Sequence, residues 1–496
     1  MNMTTKLSLA NLDAIKATAA IPAYDRSSLK AGIVHFGVGN FHRAHQAIYL
    51  DDLFNTGSDH DWAIVGAGVL PSDEAMRAKL EAQDFLTTVV EQDNNKSAAR
   101  VTAPMIDYLR PGNAAATIAA LSDPAIRIVS LTITEGGYFI DPASGLFNPN
   151  HPAIVADGQH PGDPKTVFGL IIAGLKARKD KCIVPFTVMS CDNIPGNGEV
   201  THAAVSGLAR LSDPVFAEWI EANVAFPNGM VDRITPATGP REVGIVADEY
   251  GIDDNWPVFC EEFKQWVLED HFPAGRPALE KVGVQFVPDV APYEHMKIRI
   301  LNGGHAAIAY PAALLDIHFV HEAMEDKTVC AFLAKLEEDE IIPVIPPVPN
   351  TDLTAYFKKV ESRLFNPKIA DTIPRLAQDG SNRQPKFILP TTADRLRRGE
   401  DVVGLSLVSA LWCRYFAGTT DSGKTIAFND ASADRLHAAA MKAKEDPQAF
   451  LALSDIFGDV AQSTLFQKRF AHALRTLWDK GTRATLQLYL DGKLGE

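Results

Sequence analysis

The sequence predicts an N-terminal doubly wound α/β domain followed by a mainly α-helical domain. In the first part, short β-rich runs alternate with helical stretches, which is typical of a mostly parallel sheet covered by helices. After Pro288 the strand signals stop and helical patterns follow. We therefore expect one domain at residues 1–289 and a second domain at residues 290–496.

Compact apolar runs predict the strands of the first domain, at 33–36, 62–66, 85–90, 126–134, 183–190 and 282–287. The run at 85–90 is expected to pair with the segment near Val101. Apolar residues at helical spacing predict helices at 166–177, 198–211, 293–315, 320–338, 351–363, 393–398, 403–416, 431–444 and 447–456. The connector 341–349 has four prolines in nine residues, so we expect a rigid turn or an extended link there.

Composition restricts the class of partner. The chain has 496 residues and a formal charge of −15, which argues against nucleic acid and anionic membrane surfaces. It has no apolar run as long as a membrane span, and residues 1–20 do not resemble a signal peptide. Its five scattered cysteines indicate reduced thiols in a cytoplasmic protein. We expect a monomer or small homo-oligomer that binds a small molecule.

A glycine-rich turn follows the first predicted core strand. Gly37 and Gly39 form a G-x-G turn, and Asn40 and Phe41 open the helix predicted through 44–53. Glycines here permit a tight turn and let backbone amides approach a pyrophosphate, as in a Rossmann-type dinucleotide site. His42 stands where the fingerprint has its third glycine, so the match is partial. The alternative is an ordinary glycine turn.

Other cofactor contacts are expected after the next strands. Asp73 lies in the loop after the second strand, where a carboxylate can accept hydrogen bonds from the adenosine ribose and disfavour a 2′-phosphate. Its alternative role is that of a carboxylate at a helix start. Thr134 and Glu135 follow the strand at 126–134. Glu135 is expected either to face a nicotinamide or to cap the next turn.

Base chemistry is suggested by the helix that begins near Pro292. At about 100° per residue, Lys297, Asn302 and His305 lie within roughly 140° of arc on an otherwise apolar segment. A lysine among apolar neighbours is a candidate for a lowered pKa and for a general base. The alternative is a lysine that reaches solvent and a histidine whose hydrogen bonds are satisfied in the core.

Six motifs identify a resemblance. They are GVGNFHRAHQA (37–47), LTITEGGY (131–138), FTVMSCDN (186–193), FPNGMVDRITP (226–236), PYEHMKIRILNGGH (292–305) and DGSNRQPKF (379–387). In this order they resemble the polyol-specific long-chain dehydrogenases, the mannitol dehydrogenase family. The likeness covers nearly the whole chain, and the K-x-x-x-x-N-x-x-H block is its most specific part.

The resemblance implies an NAD-dependent enzyme that oxidises a polyol to a ketose, without a metal, in a cleft between its two domains. D-mannitol to D-fructose is the first expectation, with D-arabinitol and D-sorbitol as further substrates. Lys297 is implied as the base, Asn193 and Asn302 as the amides that hold the reacting oxygen, and His305 as a substrate-positioning group. Further implied roles are proton passage for Glu294 and substrate contact for Asp232 and Arg375.

The chain departs from the family pattern at two positions. Ser72-Asp73 stands where the pattern has a Glu-Asp pair, so we expect NAD to be preferred over NADP only moderately. Arg383 stands where the pattern has a lysine at the substrate entrance. An arginine there is also what a carboxylate substrate would need.

Three other interpretations remain open at this point. Tyr293 and Lys297 form a Y-x-x-x-K pair like that of short-chain dehydrogenases, although the chain is about twice their length. A hexuronate reductase of the same family would convert a keto-uronate to an aldonate. A nucleotide-binding sensor on a dehydrogenase scaffold would lack catalysis, but the chain keeps the lysine, both asparagines and the histidine.

Overall fold

The computed structural model describes residues 4–141 and 145–495. The chain divides after Ala291 into two compact units. The first unit contains a parallel sheet with helices, and the second is built mainly from helices. The predicted fold class is therefore confirmed.

The strands of the first unit follow the apolar runs of the sequence. Within its described residues they are β1 (Thr5–Lys6), β2 (Ala31–Phe36), β3 (Ala63–Ala67), β4 (Thr87–Gln92), β5 (Ser97–Thr102), β6 (Met105–Tyr108), β7 (Ile128–Leu131), β8 (Thr187–Ser190), β9 (Gly229–Asp232), β10 (Ile252–Asp253), β11 (Val258–Glu261), β12 (Gln265–Glu269) and β13 (Gln285–Val287).

The central sheet has five parallel strands in the order β6-β3-β2-β7-β8. Val34 and Phe36 of β2 and Val129 of β7 are fully buried in its core. The chain runs outward from β2 through β3 to β6 and then crosses to the other side of β2 for β7 and β8. This reversal places a topological switch point at the carboxyl ends of β2 and β7, where open α/β sheets bind ligands.

Three smaller sheets complete the first unit. As expected, β4 pairs with the segment around Val101, in an antiparallel ladder with β5, and β11 adds to β4 in parallel. The others are β13-β12-β9 and the short pair β1-β10. The helices of this unit are α1 (Leu12–Ile15), α2 (Asn40–Ala44), α3 (Gln46–Asn55), α4 (Pro71–Glu81), α5 (Ala114–Leu121), α6 (Pro152–Gln159), α7 (Val167–Asp180), α8 (Asn197–Ser212), α9 (Pro214–Asn223) and α10 (Pro240–Tyr250).

The second unit has two π-helical turns, Lys297–Asn302 and Glu337–Ile341, inside longer helical segments. Its α-helices, the first of which begins at the unit boundary, are α11 (Ala291–Met296), α12 (Gly303–Leu314), α13 (Val320–Glu325), α14 (Lys327–Leu336), α15 (Leu353–Leu364), α16 (Ile373–Ala377), α17 (Gly380–Phe387), α18 (Leu389–Arg397), α19 (Val403–Tyr415), α20 (Ala433–Ala443), α21 (Gln448–Leu451), α22 (Ser454–Phe457) and α23 (Thr464–Leu490). The proline-rich connector contains a short 3₁₀ turn, Ile342–Val344.

Local structure differs from the sequence prediction at several places. The helix predicted through 44–53 is two helices, α2 and α3, broken at His45, whose ring bonds to the Gln265 carbonyl (2.9 Å). The strand predicted at 126–134 is shortened to β7. Strands β6, β9, β11 and β12 and the long helix α23 were not predicted. Gly481, with φ 77°, interrupts α23 and weakens its helical pattern.

Candidate active site

The glycine turn lies at the switch point, directly after β2. Gly37 has φ +90°, and a Cβ at this position would lie 2.0 Å from the Thr132 carbonyl oxygen. Only glycine fits this approach of the turn to the end of β7. The Thr132 hydroxyl donates to the Gly37 carbonyl (2.6 Å), and the His35 ring bonds to the same hydroxyl (2.9 Å). The turn is therefore fixed by both strands.

A second glycine leaves its surroundings open. A Cβ on Gly39 would meet only the Gly37 carbonyl oxygen, at 3.9 Å, so the backbone there is accessible to a ligand. The side chain of Asn40 is already hydrogen-bonded within the protein: its amide donates to the Pro236 carbonyl (3.1 Å) and the Thr238 hydroxyl (2.8 Å). This open backbone at the carboxyl edge of the sheet fits the pyrophosphate of a dinucleotide.

His42, which replaces the third glycine of the fingerprint, has a structural explanation. Its ring stacks on His35 at 3.5 Å between centroids, and both side chains are buried. Burial lowers the pKa of His35 to about 3 and lowers that of His42 well below its usual range, so both rings are neutral. Nearby, Phe41 stacks on His45 at 4.9 Å. The helix after the turn is thus packed through aromatic rings.

Asp73 has the helix-start role that the sequence left open. It lies in the first turn of α4, and its Oδ2 accepts hydrogen bonds from the backbone N–H of Val69 and of Leu70, both at 2.8 Å. Gly68 permits this arrangement, since a Cβ there would lie 2.5 Å from the Asp73 side chain. Ribose binding by the same carboxylate stays a prediction.

The loops after β7 and β8 carry four polar residues at the same edge of the sheet. Thr134 and Glu135 are exposed, with Glu135 beginning the 3₁₀ turn Glu135–Tyr138. Asn193 is exposed in the loop after β8. The buried residue beside it, Asp192, was missed by sequence reasoning, although an acid directly before the expected asparagine was a visible signal.

Asp232, an expected substrate contact, is buried at the end of β9. Its neighbour Arg233 is also buried, and its guanidinium is occupied by other groups. It pairs with Glu91 (2.5 Å) and donates to the carbonyls of Glu261 (2.9 Å) and Ala44 (2.6 Å). The position of Asp232 is therefore set by a strand and by a well-anchored arginine.

In the second unit, the predicted catalytic segment is not a uniform α-helix. Residues Lys297–Asn302 form a π-helix between α11 and α12. In an α-helix, Lys297 and Asn302 would lie about 140° apart around the axis. A π-helix closes i→i+5 hydrogen bonds and so brings these positions onto one face; such turns occur frequently at functional sites. Lys297 is buried, with 6% of its surface exposed.

The π-helix is anchored on both sides. Arg299 forms a salt bridge with Asp394 of α18 (2.5 Å), and both side chains are largely buried. Tyr293, in the preceding α11, is buried and donates its hydroxyl to the Pro349 carbonyl (3.2 Å). The Tyr293 hydroxyl is therefore engaged by the connector, which weakens the short-chain dehydrogenase interpretation. Glu294 is half-buried on the same helix.

Asn302 and Glu337 are among the residues of the second unit with buried acceptors that face no donor from the described residues. Oδ1 of Asn302 is buried and accepts no hydrogen bond from the described residues. The same holds for both carboxyl oxygens of Glu337, which is fully buried in the second π-helix. Glu337 packs on the helix after Asn302, because a Cβ on Gly304 would lie 3.2 Å from its Oε1. Burial raises the pKa of Glu337 well above its usual range.

The two expected substrate arginines lie in and near α16 and α17. Arg375 is half-exposed and forms a two-point salt bridge with Asp371. Arg383 donates to the carbonyls of Arg375 (3.2 Å) and Leu376 (2.9 Å). Protein acceptors thus already engage both guanidinium groups. His305, also predicted, is half-buried in α12, one turn after Asn302.

The part of the chain that the structure describes contains neither a candidate metal site nor a membrane-spanning helix. Residues 4–141 and 145–495 contain no group of three or more His, Cys, Asp or Glu side chains arranged to hold a metal ion. Across the same residues, no helix is both long and apolar enough to cross a membrane. All five cysteines are free thiols.

Two family models match the chain and together cover most of it. The mannitol dehydrogenase Rossmann domain matches residues 31–281, and the mannitol dehydrogenase C-terminal domain matches residues 289–478. The first match contains the glycine turn and the ends of β7 and β8. The second contains the π-helix with Lys297 and Asn302.

Individual relatives give the same assignment. A mannitol 2-dehydrogenase of Cereibacter sphaeroides is 58% identical over 470 residues, which are 95% of this chain and 98% of that protein. The Pseudomonas fluorescens mannitol 2-dehydrogenase, solved as a ternary complex with NAD and D-mannitol, is 43% identical with a TM-score of 0.87, covering 98% of this chain and 100% of that one. A substrate-free D-sorbitol dehydrogenase structure is 36% identical with a TM-score of 0.89, covering 97% and 100%. The chain therefore belongs to the mannitol dehydrogenase family.

Proposed function

We propose that the chain is an NAD-dependent polyol dehydrogenase that oxidises D-mannitol at carbon 2 to D-fructose. The observation that carries the proposal is the buried Lys297 at the start of a π-helix that ends at Asn302. The 58% identical mannitol 2-dehydrogenase and the 43% identical relative solved with NAD and D-mannitol support the substrate and the cofactor.

The cofactor is expected at the switch point of the parallel sheet. The backbone around Gly37 and Gly39 would hold the pyrophosphate, and the loops with Thr134 and Glu135 follow the strand beside it. Bound NAD supplies the hydride acceptor. The protein's part is to orient the cofactor and to disfavour a 2′-phosphate through Asp73.

Proton transfer is assigned to Lys297. In its neutral form, the amine accepts the proton of the substrate hydroxyl at Nζ. Asn193 and Asn302 donate amide hydrogens to the substrate oxygen and so stabilise its developing negative charge. His305 orients the substrate, and Glu294 passes the proton onward from the lysine.

An uncharged polyol is favoured over a hexuronate because of the arginines. An arginine binds a carboxylate substrate most strongly when its guanidinium fork is free to form two parallel hydrogen bonds. Arg375 already forms such a pair with Asp371, and Arg383 donates to two backbone carbonyls. The remaining donor capacity suits neutral hydroxyls, which Arg375, Arg383 and Asp232 would contact.

Initial rates with a substrate panel test the proposal. D-mannitol, D-arabinitol, D-sorbitol and D-mannonate are supplied with NAD, and fructose and fructuronate with NADH, while reduced nicotinamide is followed by absorbance. We expect the largest kcat/KM for the mannitol–fructose pair, with sorbitol and arabinitol weaker. A large excess for fructuronate would replace the polyol by a hexuronate. Turnover with none of them would favour the sensor.

Metal independence is tested separately. The enzyme is dialysed against a strong chelator and assayed with D-mannitol and NAD. Because Lys297 supplies the base, we expect full activity after chelation. If activity were lost after chelation and restored by added zinc, the mechanism would be metal-assisted.

A further inference from the structure

Thr134 has a backbone conformation that is essentially restricted to glycine. Its φ is 62° and its ψ is 165°, and the residue is exposed in the loop after β7. For a β-branched residue this conformation is a genuine outlier, because its Cβ clashes with the backbone. Such a conformation persists only where surrounding groups hold it, so the groups that bind this loop need to be identified.

The loop is held by one buried carboxylate. Asp192 accepts the N–H of Ile133 at Oδ2 and the N–H of Thr134 at Oδ1, both at 2.9 Å. The Tyr138 hydroxyl, at the end of the following 3₁₀ turn, donates to Oδ2 at 2.6 Å. The backbone N–H of Asp192 donates to the Ser190 hydroxyl (3.2 Å), which also bonds to Tyr138 (2.6 Å). The ends of β7 and β8 are thus joined through one side chain.

The position of Asp192 is itself fixed. The buried Asn197, at the start of α8, donates to the Asp192 carbonyl (3.0 Å) and exchanges two hydrogen bonds with the backbone of Gly229 in β9 (2.7 and 2.9 Å). Burial raises the pKa of the Asp192 carboxyl, and the hydrogen bonds from Tyr138, Ile133 and Thr134 oppose the rise. The carboxylate is therefore a rigid acceptor rather than a mobile surface group.

We infer that Asp192 is a positioning residue for hydride transfer: it holds Thr134 in the glycine-like conformation and so fixes the loop that meets the nicotinamide ring. The inference rests on the proposed NAD-dependent polyol oxidation. Asp192 acts through the loop, without contacting the reacting atoms. A misplacement of about 1 Å in such a loop can lower turnover by about 10²-fold.

The chain offers a matched control in Asp157. This buried carboxylate also accepts two backbone N–H groups, those of Lys165 and Thr166 (both 2.8 Å), and one hydroxyl, that of Thr166 (2.6 Å). The loop that it holds leads into α7, and Thr166 has an ordinary φ of −96°. Asp157→Asn therefore removes a similar hydrogen-bond set without touching a strained loop.

The decisive comparison is Asp192→Asn in two backgrounds. The new amide group cannot accept a backbone N–H, so one hydrogen bond to the loop is lost. In the wild-type background we expect kcat for D-mannitol oxidation to fall by about 10- to 10²-fold, with a larger primary isotope effect from 2-deuterated mannitol. In a Thr134→Gly background, glycine adopts the conformation without help from the carboxylate. There, Asp192→Asn should lower kcat less than about threefold.

The control and a ligand-free readout complete the test. Asp157→Asn should lower Tm like Asp192→Asn but leave kcat and the isotope effect unchanged. Hydrogen exchange of peptide 131–139 in the cofactor-free protein should rise in Asp192→Asn and not in Asp157→Asn, and this readout stands even if the polyol assignment fails. Equal losses of kcat in both backgrounds, or a fall in Tm alone, would overturn the inference. If Asp192→Asn does not fold, Tyr138→Phe, which removes one donor to the carboxylate, takes its place under the same criteria.

Discussion

Two buried acids, one from each unit, have opposite hydrogen-bonding surroundings. In the first unit, Asp192 is nearly buried and accepts three hydrogen bonds that join two strand ends. In the second unit, Glu337 is fully buried beside Gly304 and accepts none from the described residues. Burial raises the pKa of both groups, but only the first has donors that oppose the rise. One acid is part of a closed hydrogen-bond network, and burial of the other favours its protonated form.

This difference follows from what each region must do. The loop proposed to face the cofactor needs a fixed backbone, and a carboxylate with several donors fixes it. In the unit that carries the proposed lysine base, a protonated Glu337 would add no negative charge, whereas an ionised carboxylate close to a lysine favours the charged ammonium. The open acceptor on Asn302 fits the same scheme, since a polyol hydroxyl can complete its hydrogen bonding.

The largest expected effect is that of the lysine. Lys297→Ala should lower turnover of D-mannitol by about 10²–10⁴-fold, since no other base is assigned, while NADH binding stays close to wild type. Steady-state kinetics and NADH fluorescence measure both, and added primary amines should restore part of the rate. Lys335→Ala, which removes a half-buried lysine paired with Asp339, is the control. Near-normal turnover in Lys297→Ala would remove the base assignment.

The amide on the same π-helix comes next. Asn302→Ala should lower kcat by about 10²–10³-fold, the usual cost of losing a donor to a developing oxyanion. Asn302→Asp keeps the size but places a carboxylate next to that charge, so it should be at least as harmful. As a control, Asn366→Ala removes an asparagine that caps a 3₁₀ turn in the same unit, and it should affect Tm more than kcat. A small effect of Asn302→Ala on kcat would mean that other groups bind the substrate oxygen.

A smaller effect is expected at the cofactor's ribose. Asp73→Asn keeps an oxygen for the N–H groups of Val69 and Leu70 but removes the charge that would repel a 2′-phosphate. The ratio of kcat/KM with NADP to that with NAD should rise by roughly tenfold, which corresponds to about 1.4 kcal/mol. Glu74→Gln, at a neighbouring carboxylate paired with Arg77, serves for comparison. An unchanged ratio for Asp73→Asn would leave this carboxylate with its helix-start role alone.

Glu337 should change stability more than turnover. Because its pKa is raised in the folded protein, unfolding releases a proton once the pH exceeds about 4.3, the unfolded value. The free energy of unfolding should therefore decline by up to about 1.4 kcal/mol per pH unit from there until the folded group ionises. Glu337→Gln should remove this decline, whereas Glu338→Gln, at an exposed neighbour, should not. Tm measured from pH 4 to 8 checks this, and parallel curves for Glu337→Gln and wild type would contradict it.

The sequence predicted those features that short-range patterns determine. Apolar runs located the core strands, and a glycine pair located the switch point. Asp192 stands directly before the expected Asn193, but its hydrogen bonds to Ile133 and Thr134 join residues almost 60 positions apart in the chain, so no local pattern reveals these contacts. Glu337 lies in a run of four acids, Glu337 to Glu340, which looks like a solvated helix face, yet Glu337 and Glu340 are buried. Contacts between residues far apart in the sequence determine the surroundings of these acids.

The π-helix was also invisible to a fixed helical period. A count of 100° per residue places Lys297 and Asn302 about 140° apart, although the motif that carries them correctly indicated the family. A π turn differs from an α turn by a single residue, and sequence periodicity does not resolve a shift of that size over one turn. The base role of Lys297 came from its apolar surroundings and the family resemblance, and the roles of Asn193, Asn302 and His305 came from the resemblance; all of them stay predictions.

In terms of chain length, the π turn is a one-residue insertion into an α-helix. If Ile300 were deleted, the segment could close as a regular α-helix, and Lys297 and the asparagine would stand at i and i+4, again on one face. A deletion here would thus preserve the alignment of the two side chains while removing the irregular turn. Comparison of the deletion variant with the wild type therefore tests the inserted peptide unit, while the lysine and the asparagine stay in place.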